Sequence, residues 1–156
     1  MITEIRQWLK KPIIMDTLKS IKSYDKVNYR NNARLLEEAW LYNSEDFRDL
    51  TLQNSISIYL KKVLQDSGGK YLSIKILEQN SFLLASTHNT PQYVYKDEDV
   101  FVETFEKGAG VMLLKEEFVD EDNKDKVVTL AHTIDDNGEA IGVLIISMPF
   151  EVLQGS

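Results

Sequence analysis

The stretch Ala140-Ile141-Gly142-Val143-Leu144-Ile145-Ile146-Ser147-Met148 is almost wholly apolar, and no other segment restricts the fold as strongly. It is too short to cross a bilayer, which takes roughly 20 apolar residues. Because polar and apolar residues do not alternate, neither side of a strand built from it faces water. It reads as a central strand covered on both faces, ended by Pro149. Just before it, Asp135-Asp136-Asn137-Gly138 is a strong hairpin signal, since Asn-Gly accepts the left-handed backbone of a tight turn. Val127 to Ile134 is then the antiparallel partner strand.

Other strands follow from period-two alternation. Tyr71 to Leu77 places Leu72, Ile74 and Ile76 on one face, Gln79-Asn80-Ser81 turns the chain, and Phe82 to Ser86 returns. Val111 to Val119 is a further strand, joined to the next by the charged turn Asp120 to Lys126. Between the two sheet segments, a polar loop from Thr87 to Tyr95 contains Pro91. The acids Asp97-Glu98-Asp99 stand at the start of a short helix, Val100 to Lys107, closed by Gly108 and Gly110.

The first 68 residues have helical spacing instead. Ile2, Ile5 and Leu9 form one run that Pro12 interrupts; Ile13, Ile14, Leu18 and Ile21 resume it. Leu35, Leu36, Ala39 and Trp40 mark the face of a second helix. A third, capped by Ser44 in Asn43-Ser44-Glu45-Asp46, carries apolar positions from Phe47 and Leu50 through Ile56, Tyr59, Leu60, Val63 and Leu64 to the stop at Gly68-Gly69. The expected class is α+β: residues 1–68 pack as helices on one face of a five-stranded antiparallel sheet formed by residues 69–156. The short helix and loops lie over the other face, and the two regions form one domain. A face only partly closed by that lid is where a small ligand sits.

At 156 residues with 43% hydrophobic content, the chain supplies one sizeable core. Its net charge of -7 argues against nucleic acid, which needs clustered cations, and against an anionic membrane face. The absence of cysteine excludes disulfides, thiolate zinc sites and covalently attached haem or bilin. Met1 to Arg6 has none of the pattern of a signal peptide.

Several segments in this order resemble Cache domains, the PAS-like extracytoplasmic sensors of bacterial and archaeal transmembrane receptors. They are Leu83-Leu84-Ala85-Ser86-Thr87 at the end of the second strand, Asp97-Glu98-Asp99-Val100-Phe101 followed by Gly108, and Asp136-Asn137-Gly138-Glu139-Ala140-Ile141-Gly142-Val143-Leu144 entering the last strand. Glu4-Ile5-Arg6-Gln7-Trp8-Leu9 is similar to the start of the family's long N-terminal helix. The sequence departs from the pattern at His132-Thr133, where a proline is frequent, and it has strands for a single sheet. The Tyr, Arg, Trp and Asp signature of amino-acid-binding double members has no counterpart.

The resemblance implies a PAS-like fold and a ligand-sensing input domain of a histidine kinase, chemoreceptor or cyclase. Such a domain lies in the periplasm or outside the cell, binds a small metabolite and signals through its terminal helices. It implies a homodimer formed through the N-terminal helix, with membrane contact only through flanking segments. No cofactor and no enzymatic activity are expected. Two alternatives stay open: a cytoplasmic PAS or GAF module that binds a cofactor such as non-covalent flavin or only dimerises, and a spacer that binds nothing.

The expected ligand-binding residues are Tyr93, Tyr95, Phe101, Lys115 and His132. The aromatics surround the lid, where they line the pocket or plug it. Lys115 offers a carboxylate partner, and His132, on a strand expected to border the concave face, offers a hydrogen bond or a pH response. His88 reads as solvent-exposed. Asp120-Glu121-Asp122 with Asp125 lacks the glycine and distal glutamate of a calcium loop, so no metal is expected. Ser86 and Thr87 have no paired base, and Gly108-Ala109-Gly110 opens a strand where a phosphate loop would open a helix.

Overall fold

The structure, a computed structural model, describes residues 2–42, 45–118 and 126–154. The helices are α1 (Ile2–Leu9), α2 (Pro12–Ser20), α3 (Lys26–Leu41), α4 (Glu45–Leu52), α5 (Ser55–Asp66), α6 (Asp99–Val102) and α7 (Phe150–Gln154). The strands are β1 (Ser73–Glu78), β2 (Leu83–Ser86), β3 (Met112–Phe118), β4 (Lys126–Asp136) and β5 (Glu139–Pro149), and a 3-10 turn covers Phe105–Lys107. The sheet runs β2-β1-β5-β4-β3 with every neighbouring pair antiparallel, the PAS-like order. The apolar run becomes β5 at the centre, and Ile141 to Ile146 are all buried. Asn137 and Gly138 have φ of 51° and 88°, the left-handed backbone that the hairpin before β5 requires. The proposed cap Ser44 and the turn from Asp120 to Asp125 lie outside the described residues.

Side-chain parity splits the core into two layers. Ile74 and Ile76 of β1, Val128, Leu130 and Ile134 of β4, and Leu144, Ile146 and Met148 of β5 face the helices. There they meet Ile5 and Leu9 of α1, Ile14 and Leu18 of α2, and Ile56 and Leu60 of α5. On the lid side, Leu77, Ala131, Val143 and Ile145 meet Trp40, Tyr95 and Phe101. Of the face expected on α3, only Trp40 is buried, and it belongs to this second layer; Leu35 is exposed. The single helix expected from Phe47 to Leu64 is two, because Asn54 caps α5 by accepting from Ser57 N at 2.8 Å. That break turns α4 towards the lid layer, where Phe47 packs edge-on to Trp40.

Two contacts fix the β1–β2 hairpin and its neighbours. The buried Glu78 carboxylate accepts from Asn80 N at 2.6 Å, Asn80 Nδ2 at 2.9 Å and Phe82 N at 3.0 Å. Asn80 in turn donates to Lys22 O and accepts from Tyr24 N, tying the turn to the loop between α2 and α3. Gly142, from the resemblance motif, sits where a Cβ would lie 2.7 Å from Leu77 O and 3.0 Å from Leu18 Cδ2. Strand β1 and helix α2 press on β5 there, so only glycine fits.

Gly142→Ala is therefore expected to lower unfolding stability by about 1–3 kcal/mol, measured by urea denaturation; an unchanged midpoint would contradict the close approach. Burial raises the Glu78 pKa above 4.5, against the lowering pull of its hydrogen bonds from Asn80 and Phe82. The folded state thus holds this proton more tightly than the unfolded chain does. Its contribution is fully present below the unfolded value and is lost as pH rises through the folded one. Lowering the pH from neutral towards that of an ordinary carboxylate should raise the stability of the wild type relative to Glu78→Gln.

Candidate functional site

The lid starts at one edge of the sheet and ends at the other. Beyond β2 the chain doubles back: Leu83 N donates to Tyr93 O at 2.9 Å, Tyr95 N to Ser81 O at 3.0 Å, and Phe82 bridges to Val94. It then crosses through α6 and the 3-10 turn to reach β3. Helix α3 anchors the near end. The Glu37 carboxylate accepts from Tyr93 N at 3.1 Å and Val94 N at 2.7 Å, and Trp40 Nε1 donates to Thr90 O at 2.8 Å. Arg48 donates its Nε to Trp40 O at 2.8 Å and stacks over the indole.

Beneath the lid the space divides in two. One part is plugged by aromatics: Tyr93 contacts Trp40, Phe47 and Phe82, and Phe101 stacks on Phe105 with centroids 5.0 Å apart. The other part is a polar cavity of about 280 Å³, near the lower end of the roughly 300–1,000 Å³ usual for small-molecule pockets. Lys75 of β1, Ile145 and Ser147 of β5, Thr129 of β4, and Lys115 and Glu117 of β3 line its sheet side. Tyr95, Glu98, Asp99 and Val100 line its lid side.

Of the expected residues, Tyr95 and Lys115 reach this cavity. Tyr95 is buried, its hydroxyl donating to Gln92 O at 3.3 Å, and burial raises its pKa. Lys115 binds Asp99 at 2.9 Å, joining β3 to α6, and this hydrogen bond raises the lysine pKa. Tyr93 and Phe101 are parts of the plug, and burial pushes the Tyr93 hydroxyl well above the usual range. His132 lies outside this cavity. It shares parity with Leu130 and Ile134 and faces the helices, across the sheet from the lid. Near the end of β2, Ser86 Oγ donates to His88 O, and Thr87 Oγ1 accepts from Ile74 N, so both hydroxyls serve the local fold.

Lys75 escaped sequence reading, although its signal was present. The alternation that puts Ile74 and Ile76 on the helix face leaves Lys75 facing the lid. Its ammonium lies 5.5 Å from the centroid of the Tyr95 ring, and it forms no ion pair among the described residues. Burial lowers its pKa, with Glu98 pulling the other way. A half-buried ammonium facing a polar hollow is a ready partner for an anionic group. Glu98 and Glu117 on the rim can accept from a cationic or hydroxyl group at the other end of a ligand. Among the described residues there is no cluster of His, Asp or Glu that could hold a metal.

No family model matches the chain, and no curated protein matches it. Among solved structures it is similar to the sensory domain of the Campylobacter jejuni chemoreceptor Tlp3, with 20% identity, 83% of this chain and 56% of that one covered, and a TM-score of 0.46. It is similar to the ligand-binding domain of the Pseudomonas aeruginosa PAO1 amino acid chemoreceptor PctC in complex with GABA, with 13% identity, 98% and 58% covered, and a TM-score of 0.49. The E. coli DcuS sensor domain matches with 18% identity, 82% and 94% covered, and a TM-score of 0.43. The chain thus spans rather more than half the length of the Tlp3 and PctC domains. All three are sensory or ligand-binding domains by description.

Glu37→Ala should release the lid without emptying the core. Removing a charged acceptor of two backbone amides costs about 1.5–3 kcal/mol, so hydrogen exchange at Tyr93 and Val94 should quicken by about tenfold or more. Unaltered exchange there would show that the lid is held elsewhere.

Proposed function

We propose that this chain is a ligand-sensing input domain of a membrane signal-transduction protein and binds a small polar metabolite bearing a carboxylate between the lid and the sheet. The carrying observation is Lys75: a half-buried cation with no ion pair among the described residues, facing a mostly polar cavity. Such a charge destabilises the empty domain and is satisfied by an anionic ligand. The carboxylates of Glu98 and Glu117 in the same cavity favour a ligand that also carries an ammonium or hydroxyl. Tyr95 forms the aromatic wall, and Lys115–Asp99 closes the β3 side.

The domain acts outside the cytoplasm as part of a histidine kinase, chemoreceptor or cyclase, pairs through α1, and performs no catalysis. Residues 1–68 and 69–156 work as one unit, since the helices from the first supply both core layers over the sheet of the second. Membrane contact through flanking segments belongs to this reading, and among the described residues no helix is long and apolar enough to cross a membrane. Ligand binding would move the lid against α3, with α1 and α7 carrying the change outwards. A planar cofactor such as flavin is disfavoured, because Trp40, Phe47, Phe82 and Tyr93 already fill the aromatic part of the lid layer with one another.

Lys75→Met separates binding from folding. Small carboxylates and amino acids screened by calorimetry against the wild type should yield a ligand whose affinity falls at least about tenfold in the variant, the equivalent of one charge-assisted contact. The variant should be as stable as the wild type at neutral pH or more so, because the lowered lysine pKa means the folded state resists this charge. A ligand that binds both proteins equally would remove Lys75 from the site and this reading with it.

A further inference from the structure

A second cavity, of about 420 Å³, opens on the opposite face of the sheet, between α1, α2 and the β4–β5 hairpin. Its apolar body is built from Ile5 and Leu9 of α1 and Leu130 and Ile134 of β4, all buried. The apolar surface continues past β4 onto β3. There Met112 pairs with His132 and Leu114 with Leu130, and these two side chains are 42% and 52% exposed.

The mouth carries the opposite chemistry. Arg6 of α1, Lys10 just past its end and Lys19 of α2 line it. Among the described residues Arg6 and Lys10 have no ion-pair partner, and Lys19 meets only Asp16 at 3.8 Å. In a chain of net charge -7, three cations around one hollow run against the background. His132 adds a polar group inside. Its Nδ1 lies 2.6 Å from Thr133 O, and since a carbonyl only accepts, Nδ1 carries the proton and Nε2 is left without a partner. Asp135 and Asp136 line the hairpin end, so an anionic head is directed away from them to the α1 end.

We propose that this cavity binds an amphiphilic anion, an aliphatic chain ending in a carboxylate. The chain lies along Leu130, Ile134, Ile5 and Leu9, past the His132 ring, and the head meets Arg6 and Lys10. This site stands independently of the lid pocket. An occupant touches α1 and the sheet together, so its binding alters how firmly α1 is held.

Octanoate, titrated below its micellar concentration and followed by NMR, tests the assignment. Saturable shifts are expected at Ile5, Leu130, His132 and Ile134, with Lys75, Thr129 and Ser147 unmoved; octylamine should give none. Arg6→Glu with Lys10→Glu changes two exposed residues, which leaves the fold intact, and should weaken octanoate at least about tenfold. Equal affinity in that double variant, or shifts confined to the lid pocket, overturns the proposal. So does the absence of octanoate binding, whether the face is then found buried in a dimer by light scattering or bound to phosphatidylglycerol vesicles.

Discussion

Everything in this domain follows from the need to keep water off both sides of β5. Ile141 to Ile146 are buried, and adjacent residues point in opposite directions, so the chain must provide two covers. The helices before the sheet give one. The other is assembled from three separated pieces: the end of α3, helix α4, and the crossing between β2 and β3. This second cover is the less regular, and its irregularity leaves a hollow. Where aromatic side chains are available the cover is sealed. Where Lys75, Thr129 and Ser147 face it, polar space remains.

The strands and the central hairpin were legible because alternation and Asn-Gly are local signals. The break at Asn54 was not, since the apolar spacing of Phe47 to Leu64 runs through it and the cap is decided by one side chain. Trp40 looked like one member of a stripe, yet its neighbour Leu35 is exposed; a tertiary contact, the bond to Thr90, selects it. Lid aromatics were readable as a cluster, but whether they line or plug depends on Trp40 and Phe47, which come from distant sequence.

His132 and Lys75 teach the same lesson with opposite signs. Each lies on a strand with a clear parity, and in each case the face follows from the larger apolar neighbours at two-residue spacing. Leu130 and Ile134 take His132 to the helices, and Ile74 and Ile76 send Lys75 to the lid. Face assignment by parity is therefore more informative for polar site residues than the chemical identity of the residue alone.

The two sides of the lid differ in strength. Near β2 it is tied by backbone bonds, by the Glu37 carboxylate and by the Trp40 indole; near β3 it is tied by Lys115 to Asp99, whose side chains are 39% and 62% exposed. Such a partly hydrated ion pair contributes about 1 kcal/mol or less and weakens in salt. The proposed metabolite would therefore enter at the β3 margin, as through a flap sewn along one seam, and that margin would be held less firmly as ionic strength rises.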